Sequence, residues 1–115
     1  MAEVARGEIW QFAFPGPQKR RPVLVLTRQD MIPRLHTVTV APLTTTIRDV
    51  PSEVVVGTEV GLKRPSGINL HHVVTVPRAG LRSYVGSVPP DVMERVQQAL
   101  LFALGFHARG LSRGQ

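Results

Sequence analysis

Glycine and proline punctuate this chain so often, ten of each in 115 residues, that between Glu8 and Val88 only short extended segments fit. Glu8 to Phe14 alternates, with Trp10, Phe12 and Phe14 on one face, as a period-two strand requires. Pro15-Gly16-Pro17 ends it, and Gln18 to Arg21 reads as a polar loop that delivers two arginines to the next strand. Val23 to Leu26 is a continuous apolar run suited to a strand buried on both faces. A polar connection, Arg28 to His36, leads to Thr37 to Leu43, a third strand ending near Pro42, with Thr44-Thr45-Thr46 at its exit. Glu53 to Val56, Ser66 to Leu70, Val73 to Val76 and Tyr84 to Val88 complete the strands, divided by Gly57, Gly61, Pro65 and Pro77.

Pro89-Pro90-Asp91 opens a helix, because proline suits a first turn and the acids Asp91 and Glu94 complement its positive end. Val92, Val96, Ala99, Leu100, Ala103 and Leu104 recur at helical spacing, and Gly105 is placed to stop it. The tail from His107 to Gln115 has no apolar period and is expected to fray. The expected class is therefore mainly β with a C-terminal helix, a single domain over 1–115. Strands this short protect their edges best by curling into a small, strongly bent barrel.

Hydrophobic residues at 43% and charged ones at 19% describe a globular chain, and the absence of cysteine leaves the fold to packing alone. No segment has the length of a membrane span or the apolar run of a signal peptide, so a cytoplasmic protein without a membrane partner is expected. Fourteen Lys+Arg against eight Asp+Glu leave a formal +6, and twelve of the fourteen are arginine, whose planar fork suits phosphate and carboxylate. An anionic partner follows, either a nucleic acid or an acidic protein.

Candidate chemistry narrows quickly. His71 and His72 are adjacent in a segment that reads as extended, which predicts opposite faces and no shared site; His36 lies in a loop and His107 near the tail. No HExxH or carboxylate cluster offers a metal set, so neither metal nor cofactor is expected. The eight acids form no two-metal or glycosidase pair, and no glycine-rich phosphate loop follows a strand. What remains is arginine and threonine chemistry. That suffices for attack of an RNA 2′-hydroxyl on its own phosphodiester, where the substrate brings the nucleophile and the protein stabilises a dianionic phosphorane.

Three segments in order, Arg6-Gly7-Glu8-Ile9-Trp10, Arg21-Pro22-Val23-Leu24-Val25-Leu26 and Val40-Ala41-Pro42-Leu43-Thr44, resemble the N-terminal signatures of the MazF/PemK family of type II toxins. Pro51-Ser52-Glu53-Val54, Gly61-Leu62-Lys63, Ser66-Gly67-Ile68-Asn69-Leu70 and Val85-Gly86 continue the family order over nearly the whole chain. The resemblance implies an SH3-like barrel that forms a homodimer and cuts single-stranded RNA at short sequences without metal, as an mRNA interferase. It also implies a cognate antitoxin whose acidic C-terminal tail occupies the RNA groove, and operator DNA as a partner of the toxin–antitoxin complex. By position, Arg21 matches the family's catalytic arginine and Thr44 its catalytic threonine. Arg21 would act as electrostatic stabiliser and proton donor, and the Thr44 hydroxyl would bond the phosphate. Lys19, Arg20, Ser66, Asn69 and His71 are the further RNA-contact candidates.

The chain departs from the family in two places. Its first loop, Pro15 to Arg20, is short, whereas many members carry a longer one with a Gly-Ser-Glu segment, so no glutamate stands there. His71-His72-Val73-Val74-Thr75 replaces a common Asp-Gln-Ile/Val-Arg-Thr, which puts His71 forward as an acid–base group. Two other functions fit the same fold: a gyrase-poisoning toxin of the CcdB type, and an inactive nucleic-acid-binding regulator.

Overall fold

A computed structural model describes residues 3–16 and 20–106. Seven strands and one helix follow in order: β1 Glu8–Ala13, β2 Arg20–Val25, β3 Thr37–Thr44, β4 Glu53–Val56, β5 Ser66–Asn69, β6 Val74–Pro77, β7 Leu81–Ser87 and α1 Pro90–Leu104. The strands form one antiparallel sheet in the order β4-β5-β3-β2-β1-β7, with β6 also paired to β3. No helix among the described residues is long and apolar enough to cross a membrane.

β3 is the organising strand, since one edge pairs with β2 while the other is shared by β6, through Thr37 to Val40, and β5, through Leu43 and Thr44. Pro42 falls between those two partners, where its missing N–H is not needed by a ladder. Both faces of the central strands are covered. Ile9, Leu24, Leu26, Ala41 and Leu43 pack with Ile68 and Leu70 beneath Val92, Val96 and Ala99 of α1. Trp10, Phe12, Val23, Val25, Val38 and Val40 pack on the other side with Ile32, Val76 and Leu81, and Phe14 joins them as the alternation predicts. Burial on both faces explains why Val23 to Leu26 shows no polar alternation.

The sheet also curls as the short strands require. Val60-Gly61, in the β4–β5 connection, lies directly against Val85-Gly86 of β7, so closely that a Cβ on either glycine would run into backbone carbonyls. Gly61 carries a φ of +102°, the left-handed region that favours glycine. Helix α1 begins at Pro90 in its first turn and stops at Gly105, also left-handed, whose N–H bonds back to Leu101 and Phe102 carbonyls.

Four local expectations need correction. Arg20 and Arg21 are not loop residues but open β2, paired with Ala13 and Phe12, because a backbone ladder continues regardless of side-chain polarity. The connection after Thr27 contains a 3-10 turn, Gln29–Arg34, that buries Ile32. Residues Leu70–His72 form a 3-10 turn rather than extended chain, so successive side chains rotate by about 120° rather than 180°. Leu104, expected on the buried face, is exposed together with Phe102 and Phe106, because the helix end runs past the sheet. The expected fraying of the tail, 107–115, lies outside the described residues.

Candidate active site

β2 and β3 pair at Val25 with Val40, Leu24 with Ala41, and Val23 with Pro42. Continued by two residues, that register sets Arg21 opposite Thr44. The ladder stops short of them because Pro22 has no N–H to give to β3. The strand ends therefore open where the two candidate residues stand. Alternation places both on the face that carries Val23, Val25, Val38 and Val40, away from α1. Arg21 is half-buried, Arg20 is exposed one residue before it, and Lys19 lies outside the described residues.

Thr44 is half-buried and its Oγ1 accepts the Thr46 N–H at 3.2 Å, which turns the chain away from β3. Across the other edge it faces Gly67 of β5, and Gly67 faces Val55 of β4. Glu53, two residues before Val55 and on the same face, lays its carboxylate over Gly67, filling the space a Cβ there would take. That carboxylate accepts the Asp49 N–H at 2.8 Å and the Arg48 N–H at 3.1 and 3.2 Å, tying down the loop that leaves Thr44. Asp49 itself stands at φ 59°, so this loop is held in a conformation that needs an anchor. Sequence reasoning counts Glu53 only as one scattered acid; its place in Pro51-Ser52-Glu53-Val54, nine residues after Thr44, is the available signal.

The remaining candidates separate. Asn69 shares the Gly67 face opposite Glu53 but is 4% exposed, and its Oδ1 has no hydrogen-bond partner among the described residues. Ser66 is buried on the opposite face of β5, where its hydroxyl donates to the Arg64 carbonyl at 3.1 Å. His71 is drawn off to a different cluster: its Nδ1 lies 2.7 Å from Ser52 Oγ, and its ring meets His72 edge-on at 4.5 Å. The expectation that the two histidines part company is thus overturned, because the 3-10 turn gathers them. Among the described residues no three of His, Asp and Glu gather as a metal set. Chemically, the opened strand ends combine a guanidinium and a hydroxyl, with a carboxylate fixing the loop beside them. Such a set binds and stabilises an oxyanion on phosphorus.

Comparison with known proteins bears on the family and the fold. The chain is 44% identical over 85 residues to an endoribonuclease MazF3 of Mycobacterium tuberculosis, a match covering 70% of this chain and 82% of that protein. Its fold superposes on the M. tuberculosis toxin MazF-mt6 with a TM-score of 0.81 and 33% identity, covering 87% of this chain and 98% of that one. A mycobacterial endoribonuclease solved in complex with its cognate antitoxin also gives a TM-score of 0.81, at 26% identity, over 91% of this chain and 98% of that one. The model of the PemK-like, MazF-like toxins of type II toxin-antitoxin systems matches residues 5–104. By that match over nearly all of its length, and by its likeness in sequence and fold to these relatives, the chain belongs to the PemK/MazF toxin family.

Proposed function

We propose that this protein is the toxin of a toxin–antitoxin pair, an endoribonuclease that cuts single-stranded RNA at the Arg21–Thr44 strand ends without a metal ion. The observation that carries the reading is the β2–β3 register, with Val23 opposite Pro42, which when continued by two residues past Pro22 brings Arg21 and Thr44 to neighbouring strand ends. In the reaction the RNA 2′-oxygen gives its proton to solvent water and bonds to phosphorus. The bond from phosphorus to the 5′-oxygen breaks, and that oxygen leaves with a proton. Arg21 stabilises the charge on the phosphorane and delivers the leaving-group proton, while the Thr44 hydroxyl orients a phosphate oxygen. Arg20, exposed one residue before Arg21, extends the positive rim toward the neighbouring phosphates. Glu53 is assigned to positioning, since both its oxygens already accept backbone N–H groups. Relatives named as endoribonucleases favour RNA cleavage over gyrase poisoning.

The net +6 suits an acidic antitoxin tail as well as RNA, and a related toxin has been solved with its antitoxin. Phe102, Leu104 and Phe106, all more than half exposed around the end of α1, support a homodimer that covers them. The toxin–antitoxin complex, in the cytoplasm, is the form that would engage operator DNA.

The test is cleavage of a long single-stranded RNA in excess chelator, with Arg21→Ala and Thr44→Ala alongside. Wild-type cleavage that persists in chelator and falls by about 100-fold or more in each variant is expected. An inert wild type, or variants that cut normally, would overturn the reading.

A further inference from the structure

At the turn joining β6 to β7 lies a cavity of about 600 Å³ that neither Arg21 nor Thr44 lines. Trp10, Pro77 and Leu81 give it apolar walls, and Arg78, Arg82 and His36 open onto it. No acid lines it, and among the described residues neither arginine forms an ion pair. Glu8, the acid that reaches Trp10, is engaged elsewhere: its Oε1 accepts the indole N–H at 3.0 Å and the Ala5 N–H at 2.8 Å. The backbone fixes both arginines. Arg78–Gly80 forms a 3-10 turn in which the Arg78 N–H donates to the His36 carbonyl at 2.8 Å, and Gly80 lies so close to the Phe12 ring that a Cβ would strike it. Arg82 is aimed by a bulge. Trp10 pairs with Tyr84 and Phe12 with Leu81, so β7 carries one residue more than β1 over that stretch; Arg82 lines the cavity while Ser83 lines the other face of the sheet with Gln11 and Pro22. Arg78 Nε is buried with no hydrogen-bond partner among the described residues, a shortfall of about 1–3 kcal/mol. The rest of that side chain is partly exposed, and a small turn of the guanidinium presents the Nε–H to an acceptor oxygen in the cavity.

We infer that this cavity is a binding site for a small phosphate monoester with an apolar or aromatic body, its phosphate held between Arg78 and Arg82. Two guanidinium forks without a counter-ion favour a dianion with several acceptor oxygens over the single charge of a carboxylate. Trp10 and Leu81 are buried core side chains, so the ligand's body goes inward against them while its phosphate stays at the mouth, where Arg82 and His36 are exposed. The volume lies within the roughly 300–1,000 Å³ of small-molecule sites. The site is separate from the strand ends and does not rest on the ribonuclease reading.

Trp10 is the single tryptophan and lines the cavity, so its fluorescence reports occupancy. Titrating the full chain with phenyl phosphate should give a saturable change with a Kd in the millimolar range or tighter. Inorganic phosphate, lacking the apolar body, and benzoate, lacking the second charge, should each bind about tenfold or more weaker. Arg78→Gln and Arg82→Gln should each weaken phenyl phosphate by about tenfold or more, as loss of a charge-assisted contact does, and Arg21→Ala should bind it as wild type does. Arg82 is exposed, so Arg82→Gln keeps the wild-type melting midpoint and reports binding where Arg78→Gln is destabilised. The inference falls if phenyl phosphate gives no saturable change, or if the three ligands bind alike. It also falls if Arg21→Ala loses the response while Arg82→Gln keeps it, which would put the anion at the strand ends. A change in sedimenting mass in Arg82→Gln with binding intact would overturn it too, by making the cavity mouth a contact between copies of the chain.

Discussion

Replacing Gly67 by alanine tests the link between Glu53 and the loop that leaves Thr44. A Cβ at Gly67 would occupy the position of the Glu53 carboxylate. Glu53 has a flexible side chain, so it can swing aside, and the cost is therefore not a clash but what the carboxylate lets go. It lets go of two backbone donors, Asp49 N–H at 2.8 Å and Arg48 N–H at 3.1 Å. A hydrogen bond to a charged group contributes about 1.5–3 kcal/mol when sheltered, and exposed donors such as these recover part of it from water, leaving about 2 kcal/mol for the pair. Gly67 does not hold a positive φ. Alanine there therefore recovers about 0.5 kcal/mol by restricting the unfolded chain, and the net loss is about 1.5 kcal/mol. Urea unfolding followed by Trp10, the single tryptophan, measures it. Glu53→Ala should cost about 2 kcal/mol by the same bonds, and adding Gly67→Ala to it should cost nothing further, a coupling of about 1.5–2 kcal/mol. Additive losses within about 0.5 kcal/mol would refute the reasoning, as would a Gly67→Ala protein as stable as wild type.

Gly86→Ala should behave differently, because the atoms its Cβ meets are the Val60 carbonyl and the Gly61 backbone, which have no rotamer to escape into. A loss above about 3 kcal/mol is expected in thermal or urea unfolding, with no single side-chain change restoring it. His71→Ala should leave the pH profile of RNA cleavage as in wild type, since the ring is engaged by Ser52 and His72; a profile that changes shape would return His71 to the chemistry.

Much of the candidate site was legible as residue types and not as an arrangement. Arg21 and Thr44 stand out in the sequence through the motifs that hold them. Their apposition depends on pairing between residues 23 apart in the chain, which no local pattern states. The motif around Glu53 is visible in the sequence but its role is not, for the same reason: its contact with Gly67 runs between two strands, and its hydrogen bonds go to backbone, which carries no sequence signature. The histidines were misread because Leu70–His72 is flanked by strand-like residues, and a single 3-10 turn leaves no periodicity to detect.

By itself the sequence determined the short strands, the buried run of β2, the helix from Pro90 and its stop at Gly105. These follow from φ limits, side-chain alternation and helical period, all of which act within a few residues. Only the tertiary structure decided that β3 shares one edge between β5 and β6 and that Gly61 meets Gly86. The strand ends opened by Pro22 arise in the same way, since strand order and register are settled by which distant faces bury each other.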